Sequence, residues 1–395
     1  MKIGIDARFL THPQKGGFKT YTENLVLALA QLDKKNDYVL YLDRQPLRDS
    51  VLPSQPNFRH TVIPGNHKLY GMPWREQYAL PRQIKKDNLD LFHSPCLTAP
   101  IVFDTPLVVT IHDMIWYHPD RYSKQKMGFH KRGVMRWYYQ TVPQIAIRKA
   151  RAVITVSEAA KQSILAHMRI QNDQIIVTHE AASEFYRPLG YHGAQSYIAK
   201  KYQVNSSFIL GIGSADPRKN IKTLIQAYAV LPESFRNDYH LVVVCNHKSL
   251  VLESLKEVEQ SGILKCVHFL EEVNDQELAY LYNLAALFVF PSLEEGFGLP
   301  LLEAMGCGTP VLAADNSSIP EIVGDAALRF NAEDVRKLAE LISKVLSNPT
   351  LQLEMRERGI ARAADFSWKR CGMETIAVYK KVIEGENKLS SVRIV

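Results

Sequence analysis

The stretch PSLEEGFGLPLLEAMGCGTPVLAAD, residues 291–315, decides how the second half of the chain folds. An apolar run at 287–290 stops at Pro291 and reads as a buried strand. A loop opens at Ser292, and Pro300 falls where the first turn of a helix tolerates a missing N–H. Gly306 and Gly308 end that helix before a second apolar run at 310–313. Strand, glycine loop, short helix and strand make the repeating unit of a parallel α/β sheet. Bare glycine backbone before a helix N-terminus leaves N–H groups pointing outward at the positive end of the dipole, which suits an anion. Two acids flank it. Glu303 lies one turn into the helix, where its two oxygens can accept from a pair of neighbouring hydroxyls, and Glu295 lies in the loop. Such acids repel a bare phosphate but suit a diphosphate that carries polyhydroxyl groups on both sides, the layout of a nucleotide sugar.

Outward from this stretch, short apolar runs alternate with helical patterns, which predicts a parallel sheet covered on both faces. Strands are expected at 3–6, 38–42, 107–111 and 152–156, then at 208–212, 241–245, 267–270, 287–290 and 310–313. The sequence Thr20-Tyr21-Thr22-Glu23 has the spacing of a capping box. Tyr21, Leu25, Ala28, Leu29 and Leu32 then recur at helical spacing, so a helix starts near Thr20 after the pair Gly16-Gly17. Strand, loop GSADPRKN and helix return from residue 208, so a second Rossmann-like domain opens near residue 195, after the linker-like segment 184–196. Asp216 stands where the third glycine of the dinucleotide fingerprint would be, which disfavours an NAD enzyme.

With 395 residues the chain is too long for one comfortable core, which also argues for two domains. Its 46% apolar and 23% charged content is that of a soluble globular protein. The N-terminus carries Asp6 at once and lacks the apolar core of a secretory signal, and no apolar run is long enough to cross a bilayer, so a cytoplasmic protein is expected. Cys96, Cys245, Cys266, Cys307 and Cys371 are scattered, without the spacing of a zinc site or a disulfide framework, and read as reduced, mostly buried thiols. The net charge of +7 is concentrated. Residues 121–157 contain no acid, while Lys124, Lys126, Lys131, Arg132, Arg136, Arg148, Lys149 and Arg151 interleave with aromatic and apolar residues. That segment fits either a peripheral helix on an anionic membrane surface or a solvated helix face beside a core. None of the usual nucleic-acid-binding motifs is present.

The opening stretch closely resembles the E-x7-E signature region of the family 4 retaining glycosyltransferases (glycosyl transferases group 1), with Glu295 and Glu303 as the two glutamates. IGIDARFL and Gly16-Gly17 resemble that family's opening strand and glycine loop, and LVVTIHDMIWYHP its His-Asp segment. ITVSEAAKQSI and SSIPEIVGDAAL match further blocks in the same order. The resemblance implies a GT-B architecture, two Rossmann-like domains facing across a cleft. The acceptor domain would be residues 1–190, with the last helix, 372–390, packing back on it, and the donor domain residues 191–371. Met373, Ile376, Ala377, Tyr379 and Val382 have the periodicity expected of that helix.

The resemblance also implies roles. Glu303 would hold the ribose hydroxyls, and Glu295 with the backbone of Phe297, Gly298 and Leu299 the donor sugar and phosphates. Arg218 and Lys219 would meet the diphosphate. Gly16 and Gly17 would approach the donor, and Val273 would contact the base through its backbone. His112 follows a strand at the carboxyl end, where open α/β sheets bind ligands, and the resemblance makes it a donor-sugar contact near the reacting carbon; His93 in LFHSP ends a similar run. The sequence departs from the family pattern in three places. Ser214 and Ala215 follow Gly213 where Gly-Arg is frequent, Glu271 replaces a glycine before the base loop, and His179-Glu180 replaces Asn-Gly. The expected reaction moves a hexose of mannose or glucose type from a nucleotide-diphosphate sugar to a glycan or lipid-linked acceptor, with retention, in cell-surface polysaccharide synthesis. Without an Asp-x-Asp motif neither a metal nor another cofactor is expected. A nucleotide-sugar epimerase, a phosphorylase on the same fold, or a non-catalytic nucleotide-sugar or glycan-binding protein are the competing readings; a phosphorylase would need a pyridoxal-binding lysine context, which is not found.

Overall fold

The computed structural model describes the chain except residues 13–15, 47–49, 66–70, 118–130, 191–192, 215, 246–255, 257, 261 and 393–395, and the side chains of 131–134 and 386–392. It divides into two units, one running to Glu180 and resuming at Ser367, the other Ala181–Phe366. In the segment 184–196, which falls in the second unit, Arg187 and Leu189 pack on that unit: the Leu189 N–H donates to Asn283 Oδ1 at 3.0 Å, and Asn283 Nδ2 donates to the Arg187 carbonyl at 3.1 Å.

In the first unit the strands are β1 Lys2–Asp6, β2 Asp37–Leu42, β3 Phe58–Val62, β4 Leu91–Ser94, β5 Leu107–Ile111, β6 Ala152–Thr155 and β7 Ile175–Val177. In the second they are β8 Ser207–Ile212, β9 Tyr239–Val244, β10 Val267–Leu270, β11 Leu287–Phe290, β12 Val311–Ala314 and β13 Leu328–Phe330. The sheet orders are β3-β2-β1-β4-β5-β6-β7 and β10-β9-β8-β11-β12-β13, and the paired strands are parallel. Both are doubly wound Rossmann-like sheets of the GT-B class, in which strand order reverses beside β1 and beside β8. Ligands bind at such reversals, outside the carboxyl ends of the strands. In the second unit the reversal lies between β8 and β11, the strands that lead into GSADPRKN and into the opening stretch.

Central strands are buried on both faces. Ile209, Leu241, Val243, Leu287, Val289 and Leu312 share one cluster in the second unit, and Val39, Phe92, Val109 and Val153 share another in the first. At the carboxyl end of β1 the first unit also buries charge. Asp6 takes bonds from Arg8 and from Arg75 (3.0 Å), and Arg8 also meets Glu76 at 2.5 Å. Burial would push the Asp6 carboxyl up, but the two guanidiniums hold it down at about 2. Glu76 accepts further bonds from Thr98 (2.6 Å) and Tyr138 (2.5 Å).

Two local expectations are corrected. The first helix is Gly17–Leu32, so Thr20 lies inside its first turn and makes no capping box; Gly16 is the N-cap, and its carbonyl accepts from the Thr20 N–H at 3.0 Å. A glycine start leaves the cap to backbone alone, and Thr22 instead donates to the Phe18 carbonyl within the helix. The final helix, Trp368–Val392, buries Cys371, Thr375, Val378, Tyr379 and Val382, while Met373 is 48% exposed and Ala377 also faces out. The buried face is set by close packing on the first helix: a Cβ at Gly372 would lie 3.1 Å from the Ala28 Cβ. Of the basic segment, residues 121–130 lie outside the described residues. From Lys131 to Lys149 it forms a helix anchored through buried Tyr138, Val142 and Ile147, with Trp137 63% and Tyr139 40% exposed beside exposed Arg136. It is therefore a core-packed helix with an aromatic and basic outer face. Among the described residues no helix is long and apolar enough to cross a membrane, and the five cysteines are free thiols.

Candidate active site

The loop after β11 is held from two sides. Asn220, at φ +49°, donates to the carbonyls of Pro291 (3.0 Å) and Ala332 (2.8 Å), and the Leu293 N–H donates to the Arg218 carbonyl at 2.7 Å. On the other side Ser318 Oγ lies 3.0 Å from the Glu295 carbonyl and 2.9 Å from that of Phe297, while the Glu295 N–H donates to Ser317 Oγ at 3.0 Å. Phe297 is buried edge-on against Phe366, ring centroids 5.9 Å apart. This staples the loop into one shape before Gly298, whose φ of +109° is a conformation other residues rarely adopt. The helix Leu299–Gly306 follows, with Gly298 as an N-cap that offers no side chain and Pro300 in its first turn. Its N–H groups are therefore not covered by a cap side chain.

The charges are paired. Lys219 Nζ lies 2.6 Å from Glu295 Oε1, and Ser292 Oγ donates to the same oxygen. Arg218 grips Asp216 through Nε and reaches the Glu294 carbonyl at 3.3 Å. Arg218, Lys219, Glu295, Phe297, Gly298 and Leu299 thus form one neighbourhood at the reversal between β8 and β11. Glu303 sits behind it, half-buried, accepting from the Tyr282 hydroxyl at 3.0 Å. Burial pushes its carboxyl up to about 7; the Tyr282 bond pulls against this and Asp275 adds to it. Val273 lies after β10, between Glu272, which takes a φ of +54°, and Asn274, the N-cap of helix Asp275–Leu284. The left-handed residue in this turn is Glu272 rather than Glu271.

In the first unit His112 directly follows β5. Its Nδ1 lies 3.0 Å from Glu180 Oε1, and its Nε2 lies 3.4 Å from the Pro95 carbonyl. Phe18 and Tyr21 meet the ring edge-on, at centroid distances of 5.0 and 4.6 Å. Gly16 is the N-cap and Gly17 the first residue of the helix that carries both aromatics. His93 is a different case. It is fully buried between the Tyr379 hydroxyl (2.7 Å) and Thr110 Oγ1 (2.8 Å), and burial pushes its imidazole down to about 3. That ring is neutral and holds the final helix to the sheet.

Residues 15–181 match the model of Glycosyltransferase Family 4, and residues 198–363 that of glycosyl transferases group 1. The chain is 32% identical over 311 residues to O-antigen chain mannosyltransferase B of Escherichia coli, which spans 78% of this chain and 77% of that one. The chain belongs to the group 1 glycosyltransferases. A second relative of this glycosyltransferase is the MMP alpha-(1->4)-mannosyltransferase of Mycolicibacterium hassiacum, 30% identical over 76% of this chain and 72% of the other. Among solved structures, sucrose-phosphate synthase from Thermosynechococcus elongatus superposes with a TM-score of 0.78 at 20% identity, over 97% of this chain and 99% of that one, a likeness of fold.

Sequence reasoning about this glycosyltransferase passed over four partners. Ser292 and Ser318 are small polar residues in a loop, and their type alone does not separate a staple from a solvated hydroxyl. Tyr282 lies on a helix whose apolar periodicity marks it simply as core. Glu180 stood out only as a departure from Asn-Gly, and its meeting with His112 is made by the sheet.

Proposed function

We propose that this enzyme transfers a hexose of mannose or glucose type, with retention, from a nucleotide-diphosphate sugar to a glycan or lipid-linked acceptor in cell-surface polysaccharide synthesis. The observation that carries the reading is the uncapped helix start at Gly298 with the Lys219–Glu295 pair beside it and Glu303 one turn behind. The relatives named as mannosyltransferases make mannose the first sugar to test. The helix end and the cations Arg218 and Lys219 stabilise charge on the departing diphosphate, Glu295 and the backbone of Phe297, Gly298 and Leu299 orient the sugar, and Glu303 accepts from the ribose hydroxyls. Val273 backs the base, Gly16 and Gly17 give the donor room, and His112 contacts the sugar near the reacting carbon. The leaving diphosphate takes the acceptor's proton as the new glycosidic bond forms on the face it vacates. With the two cations in that role no divalent ion or other cofactor is required. The enzyme works in the cytoplasm, and its peripheral site on the anionic membrane face is the helix bearing Arg136, Trp137 and Tyr139.

A thermal-shift screen of nucleotide sugars in the presence of EDTA, followed by assay of nucleoside diphosphate release from the hits, tests this. Stabilisation by at least one GDP- or UDP-hexose, reduced in Glu303→Ala, is expected. No shift with any donor, or an equal shift in the variant, overturns the site assignment. Attachment to anionic vesicles at low salt, lost at high salt, is the expected membrane result, and no binding at low salt removes that part.

A further inference from the structure

We propose that Glu180 is the positioning residue for His112, fixing which ring nitrogen is presented to the donor sugar. The inference rests on the reading of His112 given above. Glu180 is 3% exposed, and its carboxylate lies 3.0 Å from His112 Nδ1. A carboxylate only accepts, so the Nδ1 proton is held toward Glu180 and Nε2 is the nitrogen left for a ligand. Nε2 lies 3.4 Å from the Pro95 carbonyl, a long contact that a sugar hydroxyl displaces at little cost. Phe18 and Tyr21 pack edge-on against the ring, at 86° and 87° to it, which opposes the flip that would replace Nδ1 by Cδ2 at Glu180. The Tyr21 hydroxyl is itself tied to Thr110 at 3.3 Å, and Thr110 to buried His93, so the wall against which His112 leans is part of the sheet's interior.

The arrangement is that of a base oriented by a third group, and its energetic content is a buried hydrogen bond to a charged acceptor. Without the carboxylate, Nδ1 loses its acceptor and the proton redistributes to Nε2. A ring carrying the wrong tautomer still fills its space, so donor binding is spared while turnover is not.

The test uses the full chain with GDP-mannose as first probe, or the donor found in the screen, and follows nucleoside diphosphate release. Glu180→Ala is expected to lower kcat about tenfold to a hundredfold, with donor Kd changed by less than about threefold. Glu180→Leu fills the same buried space and serves if the alanine variant does not fold. Glu180→Gln, whose amide oxygen can still accept from Nδ1, restores part of the loss. In 15N-histidine spectra, with His112 assigned from His112→Asn, wild type shows a protonated Nδ1 and the Ala or Leu variant a shift of that proton to Nε2. If His112→Asn lowers kcat while Glu180→Ala and Glu180→Leu retain it, the positioning role is overturned and His112 stands. If His112→Asn retains full kcat, both the role of His112 and this proposal fall.

Discussion

Glu303 gives the most quantitative test of the donor site. Its carboxyl is moved from the ordinary 4.5 to about 7, chiefly by burial. At about 1.4 kcal/mol per pKa unit, the ionised form is disfavoured by about 3 kcal/mol in the empty site. For a group raised in the folded state, the associated stability is present in full below pH 4.5 and is lost as pH rises through about 7. Two ribose hydroxyls donating to this carboxyl require it ionised, so donor binding below pH 7 must expel a proton. Affinity should then level off above pH 8 and fall as pH drops through 7, by roughly fifteenfold between 7 and 5.5, with a slope approaching about tenfold per pH unit. Calorimetry with an intact nucleotide sugar measures this, because its diphosphate does not titrate in that range, and buffers of different ionisation enthalpy count the proton. Glu303→Gln should bind weakly with no slope. Its empty form should melt higher than wild type at pH 8 and no higher at pH 5, because the cost of ionising a buried carboxyl is gone. A wild-type affinity flat from pH 5.5 to 8, or a slope kept in Glu303→Gln, refutes the assignment of Glu303 to the ribose.

Two further substitutions separate binding from folding. Lys219→Met leaves Glu295, whose side chain is 12% exposed, without its cation beside the helix start; donor affinity should drop about tenfold or more and lose part of its salt dependence, as calorimetry at two ionic strengths will read. Glu76→Gln breaks the buried network that joins Arg8, Thr98 and Tyr138, and leaves Arg8 short of a carboxylate. It should cost about 3–5 kcal/mol in urea unfolding of the first unit without altering donor affinity in the second.

Sequence patterning located most of the central strands and missed three at the edges. Expected strands such as 107–111, 267–270 and 287–290 coincide with β5, β10 and β11. The runs that went unrecognised, β3, β7 and β13, stand at sheet edges. An edge strand is covered on fewer sides and need not be apolar: β3 is Phe-Arg-His-Thr-Val with two exposed residues, and β7 and β13 are three residues each. β4, Leu-Phe-His-Ser, is central and fully buried, yet half polar, because His93 and Ser94 find hydrogen-bond partners inside. Patterning reads apolarity and length: β3 and β4 carry polar residues, and β7 and β13 are too short to stand out. The same limit explains the helix start at Gly17, where the cap is backbone with no side chain to announce it.

In the site, residues near in sequence were legible and their charge balance was not. Glu295 and Glu303 beside a glycine turn suggest an acidic pocket, an odd place for a diphosphate. Lys219 stands 76 residues before Glu295, and only the adjacency of β8 and β11 brings its ammonium to 2.6 Å from that carboxylate. Tyr282, 21 residues before Glu303, and the surrounding core raise the second carboxyl to about 7, so near neutral pH it carries only part of a charge until hydroxyls arrive to hold it. One acid is neutralised by a cation and the other by burial. In the proposed function the helix end between them therefore presents its positive pole to phosphate oxygens, and both carboxyls serve as acceptors for the sugars on either side.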